Sequence, residues 1–298
     1  MPEEKKETIE KKDINTLSAV YKLKMPDTVF EKLSSFIYTQ YGIKMPIAKK
    51  IMLQSRLQRR LRELNLNSYE EYCDYVFSKE GDAMEVVQMI DVVTTNKTEF
   101  FREPAHFDFL QQTILPEFMH KNKNGATMKV WSAGCSSGEE VYTLAILFSE
   151  FKEDNRRFDF SIFGSDISTR ILASAIDAVY REERAANISM DLKRKYFLRS
   201  KDRTKPTVRV VPELRKKTYY DRLNFMDQNY DKVKESFDII FCRNVLIYFD
   251  RPTQENVINK LCTKLKPGGY FFLGHSESIT GLNVPLVQLK PTVFMRTV

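Results

Sequence analysis

Apolar residues in the first third of the chain recur at the spacing of amphipathic helices. Four stretches show this repeat: residues 25–42, 47–64, 68–79 and 82–95. In the second stretch, the repeat consists of Leu53, Leu57, Leu61 and Leu64. Residues 1–15 lack a repeat and mix acids with lysines, which predicts a mobile tail. We therefore predict an all-helical domain over residues 16–93.

Beyond residue 94, apolar runs of strand length alternate with helical repeats. The predicted strands cover residues 129–133, 158–166, 237–242, 270–274 and 291–296, and the predicted helices cover residues 139–151, 168–179, 189–196 and 252–265. Such alternation is typical of an α/β domain built on a parallel sheet. Residues 196–223 interrupt it with β-like fragments, the last at 218–221, and predict a small antiparallel β insertion. The second domain is predicted over residues 94–298.

The first strand–helix junction carries a glycine turn. Gly134 and Gly138 bracket the turn, and glycine permits a sharp bend and a close approach of backbone to a ligand. Glu139 and Glu140 then open the helix, where they would repel a phosphate group. The turn therefore favours a ligand with hydroxyl and cationic groups, such as S-adenosylmethionine, over a dinucleotide. An ordinary junction whose acids serve the helix dipole would show the same pattern.

Two further features are candidates for ligand binding. Asp166 ends the second strand, where an acid holds the ribose in nucleotide-binding sheets. Residues 94–107 place Asn96, Thr98 and Arg102 among phenylalanines. This segment either covers a ligand with its polar groups or links the two domains, with its phenylalanines buried in the core.

Composition narrows the function classes. The chain has 298 residues, 42% of them hydrophobic, which is enough for two domains with real cores. It has no apolar run of about 18 residues, and its first residues do not form a signal peptide. The four cysteines are scattered and the three histidines are far apart in sequence. We therefore expect a cytoplasmic protein with reduced thiols and no metal site.

Positive charge is concentrated in one predicted helix. The formal net charge is +7, and residues 44–62 contain seven basic residues and no acid. We call this stretch the basic segment; its basic residues are Lys44, Lys49, Lys50, Arg56, Arg59, Arg60 and Arg62. It is either a solvated face or a docking surface for a polyanion, and we favour docking. The polyanion could be nucleic acid or an acidic protein helix, but no nucleic-acid-binding motif accompanies the segment.

Several segments together resemble the CheR chemotaxis methyltransferases, which methylate receptor glutamates. The matching text is TTNKTEFFRE (94–103), VWSAGCSSGEEVYTLAI (130–146), SDI (165–167), FDIIFCRNVLIYFD (237–250) and LKPGGYFFLGHSES (265–278). The segments follow the family's order across residues 25–298. The resemblance implies an α/β fold of class I S-adenosylmethionine-dependent methyltransferases, a Rossmann-like doubly wound sheet with a reversed late strand. It also implies a small antiparallel β insertion and an all-helical N-terminal domain.

The resemblance implies a role for each matching position. The residues that would bind S-adenosylmethionine are Asn96, Thr98, Arg102, Glu140, Asp166, Asn224, Phe225, Arg243 and Asn244. Among these, Asp166 would hold the ribose, and Asn224 with Phe225 would lie at the adenine. Arg102 and Tyr248 would lie nearest the transferred methyl group and are the catalytic candidates. The residues that would dock the substrate are Lys49, Arg56, Arg59, Arg60 and Arg62.

The implied reaction is methyl transfer from S-adenosylmethionine to glutamate carboxylates of chemoreceptors. It gives glutamyl methyl esters in chemotactic adaptation and S-adenosylhomocysteine as the second product. The partners would be acidic methylation helices of membrane chemoreceptors, with no nucleic acid and no membrane insertion, and the enzyme would be a monomer. Two alternatives remain open: a non-catalytic signalling module that senses S-adenosylmethionine, and a nucleic-acid methyltransferase. Against the second, the text CRNVLIYF lacks the N/D-P-P-Y/F type of motif of base-amine methylases.

Overall fold

The computed structural model describes residues 23–202 and 204–297, and only the backbone of residues 82 and 83. The chain divides into two compact units, Met1–Thr95 and Asn96–Val298. This division lies two residues beyond the predicted domain boundary. The tail predicted over residues 1–15 falls outside the described residues.

The described part of the N-terminal unit consists of helices. They are α1 (Asp27–Tyr41), α2 (Lys50–Glu63), α3 (Tyr69–Val76) and α4 (Lys79–Val93), with a 3₁₀ turn, Ile47–Lys49, leading into α2. Leu53, Leu57 and Leu61 of the predicted repeat are fully buried. Ser68 and Ser78 cap α3 and α4, since each side chain accepts a backbone N–H three residues further on. The all-helical N-terminal domain is therefore confirmed.

The C-terminal unit is built on one large sheet and one small sheet. Its strands are β1 (Ala126–Ala133), β2 (Phe158–Asp166), β3 (Val179–Arg181), β4 (Phe197–Arg199), β5 (Thr207–Val210), β6 (Thr218–Arg222), β7 (Phe237–Cys242), β8 (Leu265–Leu273), β9 (Leu286–Lys290) and β10 (Val293–Arg296). The large sheet has seven strands in the order β6-β2-β1-β7-β8-β10-β9. Strands β6, β2, β1, β7 and β8 are parallel, and β10 is antiparallel to β8 and β9. This confirms the doubly wound sheet with a reversed late strand.

The small antiparallel sheet is present, but its predicted membership was partly wrong. It contains β3, β5 and β4. The fragment predicted at 218–221 is β6, which pairs with β2 in parallel and forms an edge of the large sheet. Val179, the first residue of β3, was assigned to the preceding helix, because it extends that helix's apolar repeat together with Ile176. That helix ends at Ala178, which adopts a left-handed conformation with φ of 54°. Local periodicity identifies a strand but does not show which sheet it joins.

Helices cover both faces of the large sheet in the manner of a doubly wound fold. They are α5 (Pro104–Phe109), α6 (Leu115–Lys121), α7 (Glu139–Asp154), α8 (Thr169–Asp177), α9 (Met190–Tyr196), α10 (Pro212–Arg215) and α11 (Arg251–Lys264). A π-helical turn, Leu110–Ile114, joins α5 to α6. This stretch was not predicted as helix because it contains Pro104 and Pro116. Both prolines lie in a first helical turn, where a missing N–H is tolerated.

The central strands β1 and β7 read as continuous apolar runs because helices bury both faces of the sheet. Val130, Trp131, Ile239 and Phe241 are completely buried. All four cysteines are buried free thiols. Among the helices of the described residues, none combines the length and apolarity that crossing a membrane requires.

Candidate functional site

The predicted ligand-binding residues lie close to the carboxyl ends of the central strands of the large sheet. Strands β1, β2, β7 and β8 are parallel, so their carboxyl ends meet there. The strand order reverses at β1, which lies between β2 and β7. In open α/β sheets the ligand crevice lies at such a switch point. We call this place the strand-end site; it is formed by segments 96–103, 134–140, 166–168, 223–225, 243–248 and 274–277.

The glycine turn makes a tight bend between β1 and α7. The N–H groups of Gly134 and Cys135 both donate to the Ser165 carbonyl, at 2.7 and 2.9 Å. Gly134 has φ of 84°, and a Cβ at this position would overlap the Val245 side chain. Glycine is therefore required at residue 134 both by the backbone conformation and by the packing of the loop that follows β7.

Asp166 lies at the end of β2 with its carboxylate turned toward the glycine turn. One oxygen accepts the Ser136 N–H at 2.9 Å and the other accepts the Ser168 N–H at 3.0 Å. These bonds orient the side chain, which is largely buried. A carboxylate has about four acceptor positions, so further hydrogen bonds from ligand hydroxyls are possible. The position suits the ribose contact predicted for Asp166, which stays a prediction.

Glu140 and Arg243 form a buried ion pair behind the glycine turn. Glu140 accepts the Ser132 hydroxyl at 2.7 Å and Arg243 Nη1 at 2.9 Å. Arg243 Nη2 lies 3.1 Å from Glu103 Oε2 and donates to the Arg102 carbonyl. The Arg243 side chain is only 2% exposed. Its described contacts are therefore with protein groups, and they tie the loop after β7 to the glycine turn and to segment 96–103.

Arg243 also affects the pKa of the Glu103 carboxyl. Burial raises the pKa of this carboxyl, but the positive charge of Arg243 and hydrogen bonds from the His275 N–H and from Asn244 outweigh burial and lower it. Glu103 is consequently ionised at neutral pH, and the strand-end site contains the charged triplet Glu103–Arg243–Glu140. Breaking such a triplet would leave an uncompensated buried charge, which is strongly destabilising.

Segment 96–103 lies against the glycine turn. The Asn96 carbonyl accepts the Ser136 hydroxyl at 3.0 Å, and the Phe101 N–H donates to the Thr143 hydroxyl at 3.1 Å. Phe100 is buried in the core of the C-terminal unit. Buried phenylalanine thus anchors the segment in the core, and the contacts of its polar side chains with a ligand stay a prediction.

Backbone strain is concentrated at the same place. Seven described residues other than glycine have positive φ, and four of them belong to the strand-end site: Phe101, Glu103, Ser136 and Asn244. For a bulky aromatic residue such as Phe101, with φ of 56°, this conformation is unfavourable. Strained residues cluster at ligand sites, because the surrounding contacts hold a geometry that the ligand needs. This clustering supports the location of the site independently of its residue types.

The remaining predicted residues lie in two loops. Asn244 and Tyr248 follow β7, and a 3₁₀ turn, Leu246–Tyr248, ends that loop. Asn224 and Phe225 follow β6, where the Asn224 Oδ1 accepts the Met226 N–H at 3.0 Å. The Leu223 N–H donates to the Asp166 carbonyl at 3.1 Å, which places this loop beside the end of β2. Both loops therefore reach the strand-end site, and their contacts with a cofactor stay predictions.

Two charged residues in or beside the site carried no role in the sequence interpretation. Arg184 forms an ion pair with the fully buried Glu139 and donates to the Ser137 hydroxyl at 3.2 Å, so the 3₁₀ turn after β3, Glu182–Ala185, is attached to the glycine turn. Glu277 is buried four residues after the end of β8. Its signal in the sequence is an acid close behind an apolar strand, in the text LGHSES. Arg184 had no signal, because its partner lies 45 positions earlier in the chain.

Two of the three histidines meet although they are distant in sequence. His106 and His275 lie with their ring centroids 5.4 Å apart, and both approach the Glu103 carboxylate. Histidine and glutamate side chains are of the types that bind metal ions. The spacing of these three residues in the sequence did not indicate that they lie together. Arg243 already places a positive charge 3.1 Å from the same carboxylate oxygen. Burial, and secondly the charge of Arg243, lower the pKa of His106 to about 4.

Two arginines of the basic segment form ion pairs that the composition of the segment does not indicate. Arg59 and Arg60 both pair with Glu63, and Arg60 also binds Glu85 through Nε at 2.9 Å and Nη2 at 2.6 Å. The absence of acids within residues 44–62 therefore does not leave these arginines unneutralised, because Glu63 directly follows the segment and folding brings Glu85 of α4 to α2. The Arg60 side chain is only 12% exposed, so it supports the helical unit from within.

The other predicted docking residues differ in exposure. Arg59 is 61% exposed. Arg62 is partly exposed and donates to the Gln58 carbonyl at 3.4 Å, and Lys49 donates to the Lys44 carbonyl at 3.4 Å. Arg56 donates to the Val93 carbonyl and to the Thr95 hydroxyl. Of the five, Arg59 is the most accessible to a partner.

Comparison with known proteins assigns each unit to a described domain. Residues 28–94 match "CheR methyltransferase, all-alpha domain", and residues 96–295 match "CheR methyltransferase, SAM binding domain". The chain is 38% identical over 268 residues to the chemotaxis protein methyltransferase of Borreliella burgdorferi, covering 89% of this chain and 93% of that protein. It is 35% identical over 278 residues to the chemotaxis protein methyltransferase of Escherichia coli, covering 93% of this chain and 94% of that protein.

Proposed function

This chain belongs to the CheR methyltransferase family, and we propose that it methylates glutamate side chains of chemoreceptors. Its larger unit is the family's S-adenosylmethionine-binding domain, so S-adenosylmethionine is the cofactor. The observation that carries the proposal is the match of both units to chemotaxis protein methyltransferases over most of their length. The acceptor, a receptor glutamate, is the proposed part.

The strand-end site fits S-adenosylmethionine by its chemistry. Asp166 offers a fixed carboxylate to ribose hydroxyls. When bound, S-adenosylmethionine supplies a methyl group activated by its positively charged sulfur. Asn96, Thr98 and Asn224 would provide the neutral polar contacts around it, and Phe225 an apolar one.

A glutamate acceptor does not need the surrounding residues to remove a proton from it. Its carboxyl has an ordinary pKa of about 4.3, so it is already ionised at neutral pH and needs no general base. What remains is to align the carboxylate with the methyl group and to exclude water. We assign alignment to Arg102 and Tyr248, which flank the strand-end site on segment 96–103 and on the loop after β7. The cationic guanidinium of Arg102 would attract the carboxylate of the acceptor. The phenol of Tyr248 would lie beside the transferred methyl group.

The exposed face of α2 is the proposed receptor-docking surface. Ile51, Ser55 and Arg59 follow one another at a spacing of four residues and are all exposed, Ile51 to 71%. A helix that carries both apolar and acidic residues complements such a face, because it can bury Ile51 while its carboxylates pair with Arg59. The methylation helices of a chemoreceptor would have this character.

The experiment that tests the acceptor uses the chemical stability of the product. Membranes that contain a chemoreceptor are incubated with the protein and S-adenosylmethionine labelled in its methyl group. We expect the receptor to be labelled and mild alkali to release the label as methanol, because methyl esters hydrolyse under conditions that leave N-methyl groups intact. Label that survives alkali would contradict a glutamate acceptor.

A pair of variants separates cofactor binding from methyl transfer. Asp166→Ala should weaken S-adenosylhomocysteine binding by about tenfold or more, since it removes a carboxylate acceptor. Asp159→Ala, at the opposite end of β2, is the matched control and should bind as the wild type does. If the wild-type protein bound S-adenosylhomocysteine but transferred no methyl group to any receptor, the signalling module without catalysis would be the better interpretation.

A further inference from the structure

The Glu277 carboxylate accepts four backbone hydrogen bonds from two different loops. In the loop after β7, the Asn244 N–H donates to Oε2 at 2.9 Å, and the N–H groups of Val245 and Leu246 donate to Oε1 at 2.8 and 2.7 Å. From the end of β8, the Gly274 N–H donates to Oε2 at 2.7 Å. One side chain therefore satisfies three consecutive amides of one loop and joins them to the neighbouring strand end.

The contacts use the side chain only as an acceptor, although burial raises the pKa of this carboxyl and the four N–H donors partly offset that rise. All four partners are donors, so a protonated carboxyl would direct its own hydrogen toward an N–H group. Successive N–H groups pointing the same way form an anion-binding concavity, which here is filled by the protein's own carboxylate. Hydrogen bonds of this type are shorter and stronger than those between neutral groups. Glu277 is 8% exposed, so water cannot easily replace it.

The loop held by Glu277 is pressed closely against its neighbours. Asn244 has φ of 59°, a strained conformation, and its Nδ2 lies 3.4 Å from Glu103 Oε1. A Cβ on Gly274 would lie 2.8 Å from the backbone nitrogen of Asn244, so only glycine permits this approach. On the other side, Val245 packs against the bend at Gly134. The amides that bind Glu277 are thus those that set Asn244 and Val245 in place.

We propose that Glu277 is the positioning residue that holds the loop after β7 in its ligand-binding conformation. It acts through the backbone: it fixes the strained Asn244, the contact of Val245 with the glycine turn and the start of the turn that carries Tyr248. The inference rests on the proposed roles of Asn244 and Tyr248, but not on the identity of the methyl acceptor. Its test therefore uses cofactor binding alone, which would survive a failure of the glutamate proposal.

The test is calorimetric titration of the full chain with S-adenosylhomocysteine, far below the melting temperature of each variant. Glu277→Gln keeps the size of the side chain but turns an NH₂ group toward backbone donors. We expect the dissociation constant to rise by about tenfold or more. Glu277→Asp keeps the charge but is one methylene shorter, and should give an intermediate value. Glu255→Gln is the matched control, since Glu255 of α11 also accepts a backbone N–H, that of Asn283, but in an exposed hydrogen bond.

Chemical rescue distinguishes positioning from packing. Glu277→Ala leaves room for a small carboxylate, so formate should recover part of the lost affinity, and chloride at the same ionic strength should not. Wild-type affinity in Glu277→Gln would overturn the proposal. So would equal weakness of the Asp and Gln variants together with no effect of formate, since charge would then be irrelevant. If the Gln variant failed to fold, wild-type affinity in Glu277→Ala without formate would be the contradicting result.

Discussion

At the scale of single residues, Tyr248 is the sharpest test of how the site works. If its hydroxyl aligns the acceptor, Tyr248→Phe should lower kcat about tenfold, the effect of losing one productive hydrogen bond. The KM for S-adenosylmethionine should change little. The measurement is receptor methylation at saturating concentrations of both substrates. An unchanged kcat would show that Tyr248 is an aromatic packing residue without a part in transfer.

A second residue-scale prediction concerns His106 and acid stability. Its folded-state pKa of about 4 lies below its ordinary value of 6.5. Between these values the unfolded chain binds a proton that the folded chain does not, so stability is complete above pH 6.5 and declines as the pH falls toward 4. The free energy of unfolding should fall by up to about 1.4 kcal/mol per pH unit in this window.

Urea unfolding of wild type and His106→Gln at several pH values would measure this contribution. The variant should lose part of the decline in stability, whereas His120→Gln, at an exposed histidine of α6, should keep all of it. Identical pH profiles for wild type and His106→Gln would show that other groups cause the acid sensitivity.

At the scale of elements, α2 divides into an inner and an outer set of charges. Arg60 binds Glu85, which also accepts the Tyr72 hydroxyl at 2.9 Å, and this buried network joins α2, α3 and α4. Arg59 lies on the exposed face, where its pair with Glu63 is solvated and contributes little to stability. A charge reversal should therefore affect receptor binding at Arg59 and stability at Arg60.

Arg59→Glu should raise the KM for receptor about tenfold, with unchanged S-adenosylhomocysteine affinity and thermal stability. Arg60→Glu should instead lower the melting temperature, because it leaves Glu85 buried beside a second negative charge. Lys32→Glu, an exposed reversal on α1, is the control for general effects of charge. A receptor KM unaffected by Arg59→Glu would remove α2 as the docking surface.

The elements themselves were largely predictable, since apolar periodicity reports which faces are buried. The errors lie where two signals competed. Strand β3 continues the apolar repeat of α8, and β6 directly follows the small-sheet strands in sequence but pairs with β2. The helical stretch at 104–121 was hidden by prolines that fall in first turns. For β3 and β6 the deciding contacts are made with residues distant along the chain.

At the scale of the whole molecule, the amino-acid sequence by itself determined the class of fold, the two-part organisation and the family. These rest on local patterns: helical repeats, apolar strands, the glycine turn and short texts that keep their order. It also determined most of the polar residues at the strand ends, because parallel strands bring their carboxyl ends together whatever the details of packing.

Only the tertiary structure decided which charges are paired and which remain accessible. It buried Arg243 between Glu140 and Glu103, paired Arg60 with Glu85, brought His106 to His275 and set Glu277 under the backbone of the loop after β7. The physical reason is that an ion pair or a buried hydrogen bond depends on separations of a few ångströms between residues far apart in sequence. No local pattern encodes such distances, and they follow only when the sheet, its helices and its loops have packed.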